Sequence, residues 1–160
     1  MTKSFWAEPK GIFRIAATAE AITWALLLSG LAIRAVGAAP EWLIPTVGGM
    51  HGFTFLSYAV LAALVGVNQR WKFLKIALGV VLAIVPFATV PFERRVKLSG
   101  TLEGVWRTAK SDDPRDEHWF DSLFRWFIAR PVVLGLVLVA GVVLVFNILL
   151  FLGPPTSWFN

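Results

Sequence analysis

The sequence predicts an all-α fold, a polytopic membrane bundle of four transmembrane helices plus an interfacial amphipathic helix, and three observations carry that prediction. Of 160 residues, 57% are hydrophobic and 16% charged, with a mean hydropathy of +0.69; a soluble domain has roughly 45–50% apolar and about 25% charged residues. Four apolar runs, Ile12–Val36, Ile44–Val67, Phe73–Phe92 and Pro131–Leu152, approach or exceed the ~20 residues that cross a hydrocarbon core of about 30 Å. Trp6, Trp42, Trp71, Trp126 and Trp158, five of the eight tryptophans, fall at or just beyond the edges of those runs, where an aromatic belt places them.

The first run, "FRIAATAEAITWALLLSGLAIR", carries Arg14 and Glu20 ahead of the Arg34 at its end. Arg14 is near its start and reaches the headgroups by snorkelling. Glu20 lies about 12 Å deep at 1.5 Å per residue, too far to do so. The run resembles a cleaved leader, with basic residues ahead of it and "AVGAAP" behind, but Glu20, Trp24 and Arg34 argue that it is retained.

The second run contains His51, about 10 Å from the opposite surface and therefore near Glu20 in depth if the two helices are antiparallel. A charge at the bilayer centre costs about 2.5–3.5 kcal/mol on insertion scales, so Glu20 needs a partner, the interface or water. Three readings of the Glu20 and His51 pair stay open: a hydrogen-bonded clasp helped by Thr23, Thr54 or Tyr58, a proton or ion path, or contact with another protein. The same helix has Gly48 and Gly52, then Ala59 and Ala63, at the four-residue spacing that lets helix backbones approach closely.

The loops "GAAPEWLIP" and "NQRWKFLK" are short, which makes the first three spans antiparallel neighbours. The third span contains Pro86, which bends a helix and frees a carbonyl. It ends in Glu93, Arg94 and Arg95, read as a charged stop at the interface or a partner contact. In the loop that follows, Asp112 or Asp113 and Pro114 begin a helix whose Trp119, Leu123, Trp126 and Phe127 recur at helical spacing, as in an amphipathic segment lying in the interface. That segment turns at Pro131 into the fourth span, where Asn147 is the only strongly polar residue. The chain thus divides into a three-helix membrane unit at 12–95, a loop with the interfacial helix at 96–130, and a last span at 131–152.

Orientation follows the first helix, whose leading flank is the more basic, and sets the N-terminus in the cytoplasm. Counting loops opposes this, because four spans would put eight basic residues between Pro91 and Arg130 on the far side. The net charge of +5 sits at the ends of apolar runs, which suits anionic lipid as a partner and not nucleic acid.

Chemistry is narrowed by absence of motifs. There is no cysteine, which removes disulfides and thiolate sites. No HExxH, GxSxG, phosphate-cradling glycine loop or catalytic carboxylate pair occurs. His118 beside Asp116, Glu117 and Asp121 reads as a solvated helix face rather than a metal site. No enzyme activity, metal or cofactor is expected.

"FRIAATAEAITW", "GGMHGFTFLSYAVLAAL" and "VPFATVPFERR" resemble the small bacterial integral-membrane proteins of the domain of unknown function 3817 family. The shared elements are Phe13-Arg14, Glu20, His51-Gly52, Tyr58, Trp71, Pro86-Phe87 and Glu93-Arg94, over about residues 12–95. The resemblance implies a three-helix membrane unit with no established activity; the long loop and last span depart from it. Two functions are carried forward. One is a non-catalytic accessory subunit that stabilises a larger membrane complex, with a respiratory complex as a candidate host. It would make contact through Arg14, Glu93, Arg94, Trp119, Trp126, Asn147 and the tail "GPPTSWFN". The other is a small proton-coupled transporter or channel-like protein using Glu20 and His51.

Overall fold

The computed structural model describes residues 8–153. Trp6, Trp158 and the tail from residue 154 lie outside the described residues. Every regular element among the described residues is helical, and the chain forms two compact units, Met1–Gly104 and Val105–Asn160.

In the first unit α1 (Pro9–Ala35) and α2 (Leu43–Asn68) pack together as an antiparallel pair. Pro9 suits the first turn of α1, where its missing N–H would have no intrahelical acceptor. Both helices are long and apolar enough to cross a membrane, as is α6 (Pro131–Leu152) in the second unit.

The expected third span is not a transmembrane helix. α3 (Phe73–Val81) tightens into a 3₁₀ turn at Leu82–Ile84, the chain leaves helical geometry at Val85, and α4 (Thr89–Leu98) begins after Phe87 at φ +63. Pro86 is the physical cause, since proline lacks the amide hydrogen and pushes the residue before it into extended conformation. The helical stretch Phe73–Ile84 rises about 18 Å, too little to cross.

After the break α4 runs back along α3. A Cβ on Gly79 would meet the Phe92 ring at 2.8 Å, and farther from the reversal the Trp71 indole N–H donates to the Thr101 carbonyl at 2.7 Å while the Lys75 ammonium bonds the Thr101 hydroxyl. The pair is therefore a re-entrant hairpin that enters and leaves on one face. Among the described residues there are three candidate spans, and the expected third span is not among them.

The core of this unit lies where four segments converge. Phe13 of α1 is fully buried and stacks on Tyr58 of α2 with ring centres 5.8 Å apart, while Trp71 and Phe92 approach it edge-on. The expected close approach at Gly48 is absent, because a Cβ there would meet nothing within 4 Å. Helix contact is closest instead at Gly66, whose added Cβ would lie 2.6 Å from Ile76. Gly52, Ala59 and Ala63 are half-buried.

In the second unit Asp113 caps a 3₁₀ turn at Pro114–Glu117 by accepting the Arg115 N–H at 2.9 Å. α5 (Trp119–Ile128) follows, and α6 (Pro131–Leu152) starts with Pro131 in its first turn.

A hairpin and a span differ in where their far end emerges. Because the sequence has no native cysteine, single Lys72→Cys and Lys97→Cys variants should react with a membrane-impermeant maleimide from the same side, and Arg34→Cys from the other. Labelling of positions 72 and 97 from opposite sides would restore the four-span arrangement.

Candidate functional site

Four buried polar residues of the first unit, Glu20, Thr23, His51 and Thr89, form one layer at the level of the hairpin tip. Glu20 and Thr89 are both 0% exposed, and the Thr89 hydroxyl donates to Glu20 Oε2 at 2.6 Å. Thr89 is the first residue of α4, so the break that ends α3 is what delivers this hydroxyl to α1. One turn earlier in α1 the Ala17 carbonyl lies 3.3 Å from the same hydroxyl, a longer and weaker alternative.

One turn beyond Glu20, Thr23 and Trp24 serve the other neighbours. The Thr23 hydroxyl donates to the Glu20 carbonyl at 2.9 Å and contacts His51 Nδ1 at 3.2 Å. A hydroxyl has one proton, so with that proton on the Glu20 carbonyl the second contact requires Nδ1–H of His51 to donate. The His51 ring is also covered by Trp24, with centres 4.3 Å apart. Glu20 and His51 thus share a layer without a direct bond, and Thr23 stands between them.

Trp24 has a second task. Its indole N–H donates to the Ala83 carbonyl at 3.1 Å, in the 3₁₀ turn that precedes the break. An uninterrupted helix would offer that carbonyl the amide of residue 87, and the reversal removes it. Irregular backbone at membrane depth is tolerated only when such groups find protein partners. Here a side chain of α1 supplies one.

Farther along the same face of α4, Glu93 is 4% exposed, unlike the interfacial stop expected of it. It lies with Arg14, Arg94 and Lys97 around a cleft of about 270 Å³ between α1 and α4. The Tyr58 hydroxyl is within electrostatic range of both Glu20 and Glu93. Glu20 Oε1, the Tyr58 hydroxyl and Glu93 Oε1 are buried and have no hydrogen-bond partner among the described residues. Arg14 and Arg94 are exposed.

The second unit is built around Asp116, 2% exposed rather than on the solvated face read from its neighbours. Its carboxylate accepts from the Ser111 hydroxyl at 2.7 Å and pairs with Arg125 at 3.1 Å and Arg107 at 3.4 Å. Arg107 also bonds Asp121 at 2.7 Å. With this network inside, α5 turns Trp119, Phe120, Leu123 and Trp126 outward, Trp119 being 75% exposed. The Arg130 guanidinium covers one face of Trp126 at 4.3 Å. Asn147 bonds back to the Val143 carbonyl of its own helix at 2.8 Å.

Thr89 and Arg125 were not singled out by sequence reasoning, while Trp24 was read only as a sign of a retained span and Asp116 only as part of a solvated face. Thr89 carries a usable signal, a hydroxyl three residues past a mid-run proline. Nothing in the spacing of Asp116 and Arg125 marks them as buried.

The arrangement defines a class: an integral membrane helical protein whose intramembrane polar groups fasten a re-entrant hairpin to a helix pair. The chain belongs to the family described as Domain of unknown function (DUF3817), whose model matches residues 10–97, more than half of the chain. A Streptomyces coelicolor protein named only as a membrane protein is 33% identical over 84 residues, which are 52% of this chain and 10% of the relative. The chain therefore spans about a tenth of the length of that relative. No solved structure matches the chain.

Two substitutions test the geometry. Thr89→Val removes the donor to a fully buried carboxyl and should lower stability in detergent by about 1–3 kcal/mol, read as a fall in the thermal unfolding midpoint, with Thr18→Val unchanged as an exposed control. Asp116→Ala leaves two arginines facing a vacated carboxylate site. It should cost about 3–5 kcal/mol locally and open residues 105–130 to limited proteolysis while α1 and α2 stay protected.

Proposed function

We propose that this protein is a non-catalytic accessory subunit that stabilises a larger membrane assembly, with its N-terminus on the cytoplasmic side of a bacterial cell membrane. One observation carries the accessory reading: a short helix, held by a buried carboxylate and two arginines, turns two tryptophans, a phenylalanine and a leucine outward. Aromatic anchors on an ordered support are what concentrate binding energy at protein interfaces. Glu20, Thr23 and Trp24 of α1, by contrast, hydrogen-bond within the unit itself.

Orientation is supported by the hairpin. Returning the chain to its face of entry puts Arg94, Arg95 and Lys97 beside Lys10, Arg14, Arg70, Lys72 and Lys75, with Arg34 at the other end of α1. The basic excess then agrees with a cytoplasmic N-terminus, and the conflict produced by counting four spans disappears.

The test is purification in mild detergent through a tag on this chain. Stoichiometric larger membrane proteins, respiratory subunits among the candidates, should accompany it, and Trp119→Ser with Trp126→Ser should cut their recovery at least about tenfold. A lone monodisperse species, unaffected by those substitutions, would overturn the proposal. The alternative, a small proton-coupled transporter, draws support from the three unpartnered oxygens of Glu20, Tyr58 and Glu93. It requires proton movement into proteoliposomes that Glu20→Gln abolishes.

A further inference from the structure

The two arms of the hairpin enclose a groove of about 530 Å³, a size at which small-molecule sites occur. Leu78 and Leu82 of the first arm and Phe92 of the second form its walls, while Lys75, Arg95 and Ser99 also line it. The antiparallel course of the arms orders these residues. Lys75 and Ser99 lie toward the open ends, where Lys75 bonds Thr101, and Leu82 lies at the reversal. Cationic and hydroxyl groups therefore stand at the mouth, and the groove becomes apolar over the ~10 Å between residues 75 and 82.

We propose that this groove binds one anionic phospholipid, its phosphate held by Lys75 and Arg95 and an acyl chain lying between the arms. Charge complementarity argues for this occupant. No acidic residue lines the groove. The acids nearest in the chain are directed elsewhere, Glu93 to the α1 side of α4 and Glu103 to an ion pair with Lys10 at 3.0 Å.

The cations are available and placed. Arg95 is exposed and makes no ion pair with any described residue. Lys75 is fixed by Thr101 and by the face of Trp71, 4.7 Å from its nitrogen, yet an ammonium has three donors and keeps capacity for a phosphate oxygen. A soluble anion would use the mouth and leave the apolar walls without purpose. A neutral lipid would use the walls and leave two cations unmatched. Basic pockets between membrane helices on the cytoplasmic side are where anionic headgroups bind.

The experiment is a lipid titration of the full chain in detergent, followed by native mass spectrometry. Phosphatidylglycerol should be retained at least tenfold more tightly than phosphatidylcholine. Lys75→Gln with Arg95→Gln should erase that preference, while Lys72→Gln, exposed on the same basic face, should preserve it. Equal retention of the two lipids, equal loss in the Lys72 variant, or displacement of the lipid by equimolar inorganic phosphate would overturn the proposal. A phosphatidylglycerol with a photoreactive group on its acyl chain needs no variant. It should label peptides containing Leu78, Leu82 or Phe92 in the unaltered protein, and labelling confined to α2 and α6 would count against the site.

Discussion

The first unit depends on a reciprocal satisfaction of polar groups between α1 and the hairpin. Glu20 is placed where lipid offers it no hydrogen bond, and Thr89 supplies one at 2.6 Å. The hairpin deprives the Ala83 carbonyl of a helical donor, and Trp24 replaces it at 3.1 Å. Each side therefore removes a cost that the other would otherwise carry. Hydrogen bonds between membrane helices contribute only about 0.6–2 kcal/mol each, but an unsatisfied buried group costs about 1–3 kcal/mol. Register is fixed by that asymmetry more than by the strength of any one bond.

A consequence reaches beyond the contact itself. Because Trp24 lies midway along α1 and meets the 3₁₀ turn before the break, the hairpin tip stops near the middle of the bundle. The exposed side of its first arm carries Phe73, Leu74, Leu78 and Val81, a lipid-facing surface. Its second arm carries Arg94, Arg95 and Lys97 back to the face where the chain entered. One proline-centred reversal thus sets both the depth of the polar layer and the distribution of charge between the two faces.

The second unit solves a different problem with the same chemistry. Between Gly104 and α5 the chain has little apolar material with which to build a core, and it orders itself around a carboxylate instead. Asp116, inside the 3₁₀ turn, gathers Arg107 and Ser111 from before it and Arg125 from after it. A buried charge pair adds little stability over an apolar core of the same shape, but removing one member is costly. Phe124 of α5 is buried beside this network, and Trp119, Phe120 and Trp126 are left outward.

Much of this molecule was legible in the sequence. Composition and run length gave a helical membrane protein, the limits of α1, α2 and α6 to within a few residues, and the depth of Glu20, because apolar periodicity and the fixed rise of a helix are local properties. Pro86 was visible as a bend, but hydropathy adds residues along a run without regard to chain direction, and a reversal leaves the sum unchanged. Partner choice was beyond it: Glu20 and His51 match in depth, yet azimuth around the helix sends Glu20 to Thr89 and His51 to Thr23 and Trp24. Sequence alone determined the solvent this protein is made for and how deep its buried acid lies. Tertiary structure decided which neighbour answers that acid and on which face the hairpin emerges, since these turn on contacts between residues 69 positions apart for Glu20 and Thr89 and 30 apart for Trp71 and Thr101, which no local pattern encodes.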